Sequence, residues 1–193
     1  IPATSIEAIR LGCVEVGAKR ASDVILFDKL MDSDPLFLTG NTDTVYALSI
    51  LELDRDGPTV VEIPPKCGPG TVDDAWQRFV VDMGAPGLDR GKGAKYLILP
   101  PDYEGDFDPP VGGEFAEVDG EEYIVAKSQT YVNWLVLRGF LVDGKPDTAN
   151  AMFKNGLKIY PLKNKRTPPK MKFISGSEVP FNTVHANNFK FYE

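Results

Sequence analysis

Short apolar blocks recur along the chain, cut by Gly, Pro, Asn and Asp at intervals too close for long helices. The clearest block, Thr44–Leu53, reads TVYALSILEL and wants a pleated, half-buried surface. Asn41 and Asp43 precede it, and their side chains can bond their own backbone, so a turn enters a strand there. A second strand is predicted at Thr59–Ile63, joined to the first by Asp54-Arg55-Asp56-Gly57-Pro58, whose Asp-Gly step supplies the positive φ of a tight hairpin. Further strands are predicted at Lys95–Leu99, Glu122–Ala126, Thr130–Leu141 and Leu157–Leu162. Two segments stay ambiguous. Val24–Phe27 fits a strand or a helical turn, and Thr71–Met83 places Trp76, Phe79 and Val80 at helical spacing while Trp76–Val81 also reads as a strand. Short helices are predicted at Thr4–Gly12 and at Ala149–Asn155, the latter capped by Asp147 or Thr148 and closed by Gly156. Many short strands with this punctuation predict a mainly β chain built as a sandwich.

Composition narrows the function classes. At 193 residues, 42% hydrophobic and 25% charged, the chain has the size and balance of one large soluble domain. A net charge of -7 argues against general nucleic-acid binding, which needs a basic surface. The two cysteines, Cys13 and Cys67, can form one bridge or none, and the single His185 rules out a His-rich metal site. No apolar run approaches the roughly 18 residues of a membrane helix. Charge is segregated: residues 102–122 hold nine of the 28 acids and no base, while residues 158–172 hold six of the 21 bases and no acid. These are either solvated loops or complementary patches for a neighbouring domain or subunit.

Candidate chemistry thins on inspection. Gly87-Leu88-Asp89-Arg90-Gly91-Lys92-Gly93 lacks the spacing and the Ser or Thr of a phosphate loop and reads as a flexible connection. The alternating acids Asp102, Glu104, Asp106 and Asp108 miss the register of a calcium loop, since Phe107 stands where its glycine belongs. Ser175-Gly176-Ser177 is not a nucleophile elbow, and neither cysteine has a catalytic context. The remaining polar set is Asn41, Asp43, Thr44, Tyr46, Trp134 and Arg138. The two-residue strand period puts Thr44 and Tyr46 on one face and Asp43 and Val45 on the other, and likewise sets Trp134 and Arg138 opposite Tyr131 and Asn133. An Arg in an apolar strand needs a partner, and Asp43 is the predicted one. The cluster is then either a buried ion pair fixing the turn or a ligand pocket with Arg138 as anion anchor and Tyr46 and Trp134 as walls.

In order and spacing, the blocks NTDTVYAL, GPTVVEIPP, GKGAKYLILPP, SQTYVNWLVLRGFLVDG and KIYPL resemble the domain of unknown function 1254 family, from about Leu26 to Tyr192. The resemblance implies an immunoglobulin-like β-sandwich with one or two short helices, frequent export signals and a second domain of unknown function (1214) downstream. It brings no reaction. The acidic stretch before Glu122 is longer than the family pattern leads one to expect.

The resulting expectation divides the chain into a helix and lead-in (1–40), a sandwich (41–175) and the start of a linker (176–193). The whole is read as the N-terminal part of a larger exported, periplasmic or secreted protein. Phe181, Phe189, Phe191 and Tyr192 crowd its last residues and are expected at an interface with the next domain, with a second copy, or with the sandwich itself. The functional expectation is a noncatalytic binding or assembly module. An enzyme, such as a hydrolase, completed by a downstream domain and a purely structural domain are the alternatives. No catalytic residue, metal or cofactor is assigned, and the expected partners are the downstream domain and a homo-oligomer, with no nucleic acid and no membrane span.

Overall fold

Period-two alternation along β9 (Val132–Phe140) sets the architecture: Asn133, Leu135 and Leu137 are buried, while Trp134, Val136 and Arg138 between them are only half-buried. A computed structural model of the chain, described over residues 2–36 and 40–183, places this strand inside a six-stranded sheet. Its order is β11 (Lys172–Ser175), β1 (Asp23–Phe27), β2 (Thr44–Glu52), β9, β4 (Pro69–Asp74) and β5 (Phe79–Gly84). A five-stranded sheet runs β10 (Lys158–Pro161), β3 (Thr59–Ile63), β6 (Ala94–Leu99), β8 (Glu121–Lys127) and β7 (Glu114–Val118). Both sheets are mixed, since β1 pairs with β11 and β6 with β8 in parallel, the other pairs being antiparallel.

The sheets share one apolar core. Val45, Ala47, Val72, Leu135 and Leu137 from the first meet Val61, Ile63, Tyr96, Ile98 and Ile124 from the second. Burying side chains of this size contributes about 1.5–3 kcal/mol each. Helix α3 (Asp147–Gly156) closes one side of this core through Ala149 and Phe153. On the outer face of the six-stranded sheet a second cluster centres on β1 and β2, with Trp134 and Val136 of β9 packed against it. There Ile6, Ile9 and Cys13 of α1 (Pro2–Glu15), with Phe181, pack on Ile25, Phe27, Tyr46, Leu48 and Ile50. Among the described residues no helix is long and apolar enough to cross a membrane.

Several expectations change. β2 and β3 do not form a hairpin: they lie in different sheets. Residues Leu53–Asp56 form a single helical turn, α2, on which Arg55 pairs with Glu52 and Asp56. Leu53 is buried there and its N–H donates to Tyr131 O, while Gly57, at φ 72°, ends the turn and sends the chain across to the other sheet. The Asp-Gly step therefore ends a helical turn instead of centring a hairpin. The ambiguous Thr71–Met83 segment is the β4–β5 hairpin. Asp74 folds its turn by accepting from the N–H groups of Trp76 and Arg78 and from Arg78 Nε, which leaves Trp76 exposed at the tip. Val24–Phe27 is strand, β7 arises within the acidic stretch, and β1 joins the sheet although it precedes residue 41.

Candidate functional site

Asn41 organises the entry to β2. Its Oδ1 accepts from Asp43 N at 2.9 Å, Thr44 N at 3.1 Å and Thr44 Oγ1 at 3.2 Å, and its Nδ2 donates to Tyr46 Oη at 2.5 Å. Across the ladder Tyr46 stands opposite Arg138, whose guanidinium lies 5.2 Å from the Tyr46 ring centroid. This is a cation resting on an aromatic face. The predicted Asp43–Arg138 ion pair is not formed. Asp43 is exposed ahead of β2, on the opposite parity from Tyr46, and the register already pairs Thr44 with Phe140. Arg138 therefore meets the ring directly across the ladder and lies beyond reach of the carboxylate. Tyr46 is 2% exposed, so it is a floor beneath Arg138 and not a wall. Trp134 lies four residues along β9 on the same face, half-buried, its Nε1 without an acceptor among the described residues.

Arg138 lies on the outer face of the sheet, on the side toward β4 and β5. With Val136, Pro69, Thr71, Asp82 and Pro86 it lines a shallow hollow of about 210 Å³ over β9, β4 and β5. Gly68 brings the preceding segment close: its N–H donates to Arg138 O at 2.8 Å, and a Cβ there would stand 2.8 Å from the same oxygen. Asp73, cross-strand from Trp134, accepts from Thr71 Oγ1 at 3.4 Å. Burial holds its carboxyl above the usual carboxylate range against the lowering effect of the Thr71 hydroxyl, and the charges of Asp74 and Asp82 add to the rise. The site thus offers one guanidinium with no ion pair among the described residues, two carboxylates, a hydroxyl and a half-buried indole. Cys67 sits beneath it, Sγ 3.8 Å from Arg138 O, but burial pushes its thiol, like that of Cys13, up to about 12, and both cysteines are free.

Thr71, Asp73 and Asp82 escaped the reading of the sequence because their segment was not settled as strand. The alternation of Thr71 and Asp73 around Val72 is the signal that marks them. Asp89 escaped too. The glycine-rich connection is not loose, because Asp89, 5% exposed, accepts from Gly84 N at 2.8 Å, Tyr96 Oη at 2.5 Å and Gly93 N at 3.2 Å. The segregated charges meet at one point within the described residues, Lys165 pairing with Asp119 at 2.9 Å, while Glu121 of the acidic segment pairs with Lys95. Phe181 is fully buried, edge-on to Phe27 at 5.6 Å, so it belongs to the sandwich. His185, Phe189, Phe191 and Tyr192 lie outside the described residues.

Residues 23–161 match the family described as protein of unknown function (DUF1254). No curated protein matches the chain. Among solved structures, the VPA0106 protein from Vibrio parahaemolyticus, a Northeast Structural Genomics Consortium target, is similar with a TM-score of 0.56 and 15% identity. The match covers 88% of this chain and 38% of that one, so this chain spans well under half the length of its neighbour. At that identity the likeness concerns the fold alone.

Proposed function

The chain belongs to the DUF1254 family, a description that names no reaction, and we propose that it is a noncatalytic binding module whose site is the hollow around Arg138. The observation that carries this reading is the state of Arg138: a half-buried guanidinium on an interior strand, steadied by the Tyr46 ring and by no carboxylate among the described residues. Its planar fork suits a carboxylate held by two parallel hydrogen bonds. Asp82 in the same hollow and Asp73 beside it offset the positive charge and oppose a multiply charged anion. The ligand of best fit has one carboxylate and a neighbouring hydroxyl or amine to donate to those acids, its apolar part resting on Val136 and Trp134.

The wider reading, an immunoglobulin-like module at the N-terminal side of a larger exported protein, rests on the family resemblance. Two facing sheets with one core support it, and the parallel pairs β1–β11 and β6–β8 depart from the fully antiparallel pattern. The test is a thermal-shift panel of hydroxy- and amino-carboxylates against the chain and Arg138→Gln. Stabilisation that rises with ligand concentration and disappears in the variant supports the proposal. Equal shifts in both proteins refute it.

A further inference from the structure

A second hollow has a different electrostatic character. The loop between α1 and β1 and the lead-in to β11 are far apart in sequence, yet the parallel β1–β11 pairing sets them side by side, with Asp23 opposite Lys172 and Lys172 N donating to Ser22 O at 2.9 Å. Lys19, Arg20, Lys170 and Lys172 converge on a hollow of about 650 Å³. Among the described residues Asp23 is its only acidic lining residue, and one of its carboxylate oxygens already accepts from Lys19 N at 2.9 Å. Some cations elsewhere are matched, Arg10 with Glu7, Arg55 with Asp56 and Lys158 with Glu62, whereas here unmatched ones gather in one hollow. Lys19, Arg20 and Lys170 have no ion-pair partner among the described residues, in a chain whose net charge is -7.

Arg20, Ser22 and Pro169 also line an adjoining hollow of about 280 Å³, whose other walls include Ala21, Ile159 and Pro161. A charged chamber therefore opens beside a more apolar one. The pairing brings Lys172 beside the loop that carries Lys19 and Arg20, and four cations around one hollow together attract multivalent anions more strongly than single charges. The volume suits a small molecule or headgroup and not a folded partner.

We propose that this groove binds a compact ligand bearing two or more phosphate charges, its phosphate oxygens on Arg20, Lys170 and Lys172 and its less polar part toward Ile159 and Pro161. The Arg138 site, where Asp82 and Asp73 outnumber the one guanidinium, is built for a different ligand.

Isothermal titration at low ionic strength with sodium pyrophosphate tests the free ligand, and cosedimentation with phosphatidylcholine vesicles, with and without phosphatidic acid, tests the headgroup. Expected is saturable binding of pyrophosphate or of the phosphatidic acid vesicles, weakening with added salt and falling roughly tenfold for each cation removed in Arg20→Gln and Arg20→Gln/Lys170→Gln, the size of a charge-assisted hydrogen bond. Lys154→Gln on α3 should bind as the parent does. These side chains are exposed, so the variants should keep the parent's circular dichroism, and if the double variant fails to fold the single one decides. Pyrophosphate binding alone assigns a soluble ligand, and vesicle binding alone assigns a lipid headgroup. Binding to neither probe, or binding undiminished in the folded variants, overturns the proposal.

Discussion

If Arg138 rests on Tyr46 and not on Asp43, the two residues should couple to it very differently in a double-mutant cycle. The guanidinium carbon lies 5.2 Å from the ring centroid, inside the range of a cation–π contact, and the side chain is half-buried. Such a contact contributes about 0.5–1 kcal/mol at an exposed site and about 2 when desolvated. Arg138→Met keeps an apolar stem over the ring, so it should cost about 0.5–2 kcal/mol. Breaking a buried ion pair would instead cost about 3–5 kcal/mol, because a charge would be left unpaired. Combined with Tyr46→Leu, Arg138→Met should show a coupling of about 0.5–1 kcal/mol. Combined with Asp43→Asn, it should be additive within about 0.5 kcal/mol. Equilibrium urea unfolding followed by tryptophan fluorescence, with unchanged m-values, measures both cycles. An Asp43–Arg138 coupling above about 1 kcal/mol, or a single-variant cost of about 3 kcal/mol or more, would refute the reasoning.

Other perturbations follow from the same structure. Asp89→Ala strips the acceptor from Gly84 N, Gly93 N and Tyr96 Oη and should cost about 3 kcal/mol or more, read by urea unfolding, since each buried unsatisfied donor costs about 1–3; a loss under about 1 kcal/mol would mean the loop is not locked by this side chain. Phe181→Ala should lose about 3–5 kcal/mol, because the ring is fully buried against Phe27 and leaves a cavity, whereas a near-neutral result would detach the 177–183 segment from the sandwich. The Asp73 carboxyl is raised by burial, so the stability it contributes is present below the unfolded carboxylate pKa and is lost as pH rises through the raised folded value. Asp73→Asn should therefore melt above the parent at neutral pH, with the gap closing as pH falls through the carboxylate range, and a gap that ignores pH would remove Asp73 from that role.

Much of the site was legible from parity alone. The alternation through Val132–Phe140 put Trp134 and Arg138 on one face, and the Asx turn at Asn41 was readable from residue type. Partner choice was not, because Tyr46 and Arg138 become neighbours only through the β2–β9 register, and 91 positions lie between them. The misread hairpin has a similar cause: Asp56-Gly57 is a turn signal, yet Leu53 is buried and bonded to Tyr131 O, a contact distant in sequence. Thr71, Asp73 and Asp82 hid in a segment whose helical and strand periods both fit. The basic groove draws on residues 17–23 and 169–172, which the parallel β1–β11 pairing sets side by side.

That Arg138 is an anion anchor is tested most directly by its own side-chain Nε–Hε resonance in a ¹⁵N spectrum, followed while lactate or glycine is titrated into the chain. The expected result is a saturable shift of that resonance together with the Thr71 and Val136 amides, smaller with inorganic phosphate and absent in Arg138→Gln. An Arg138 resonance that stays fixed through both titrations would contradict the proposed site.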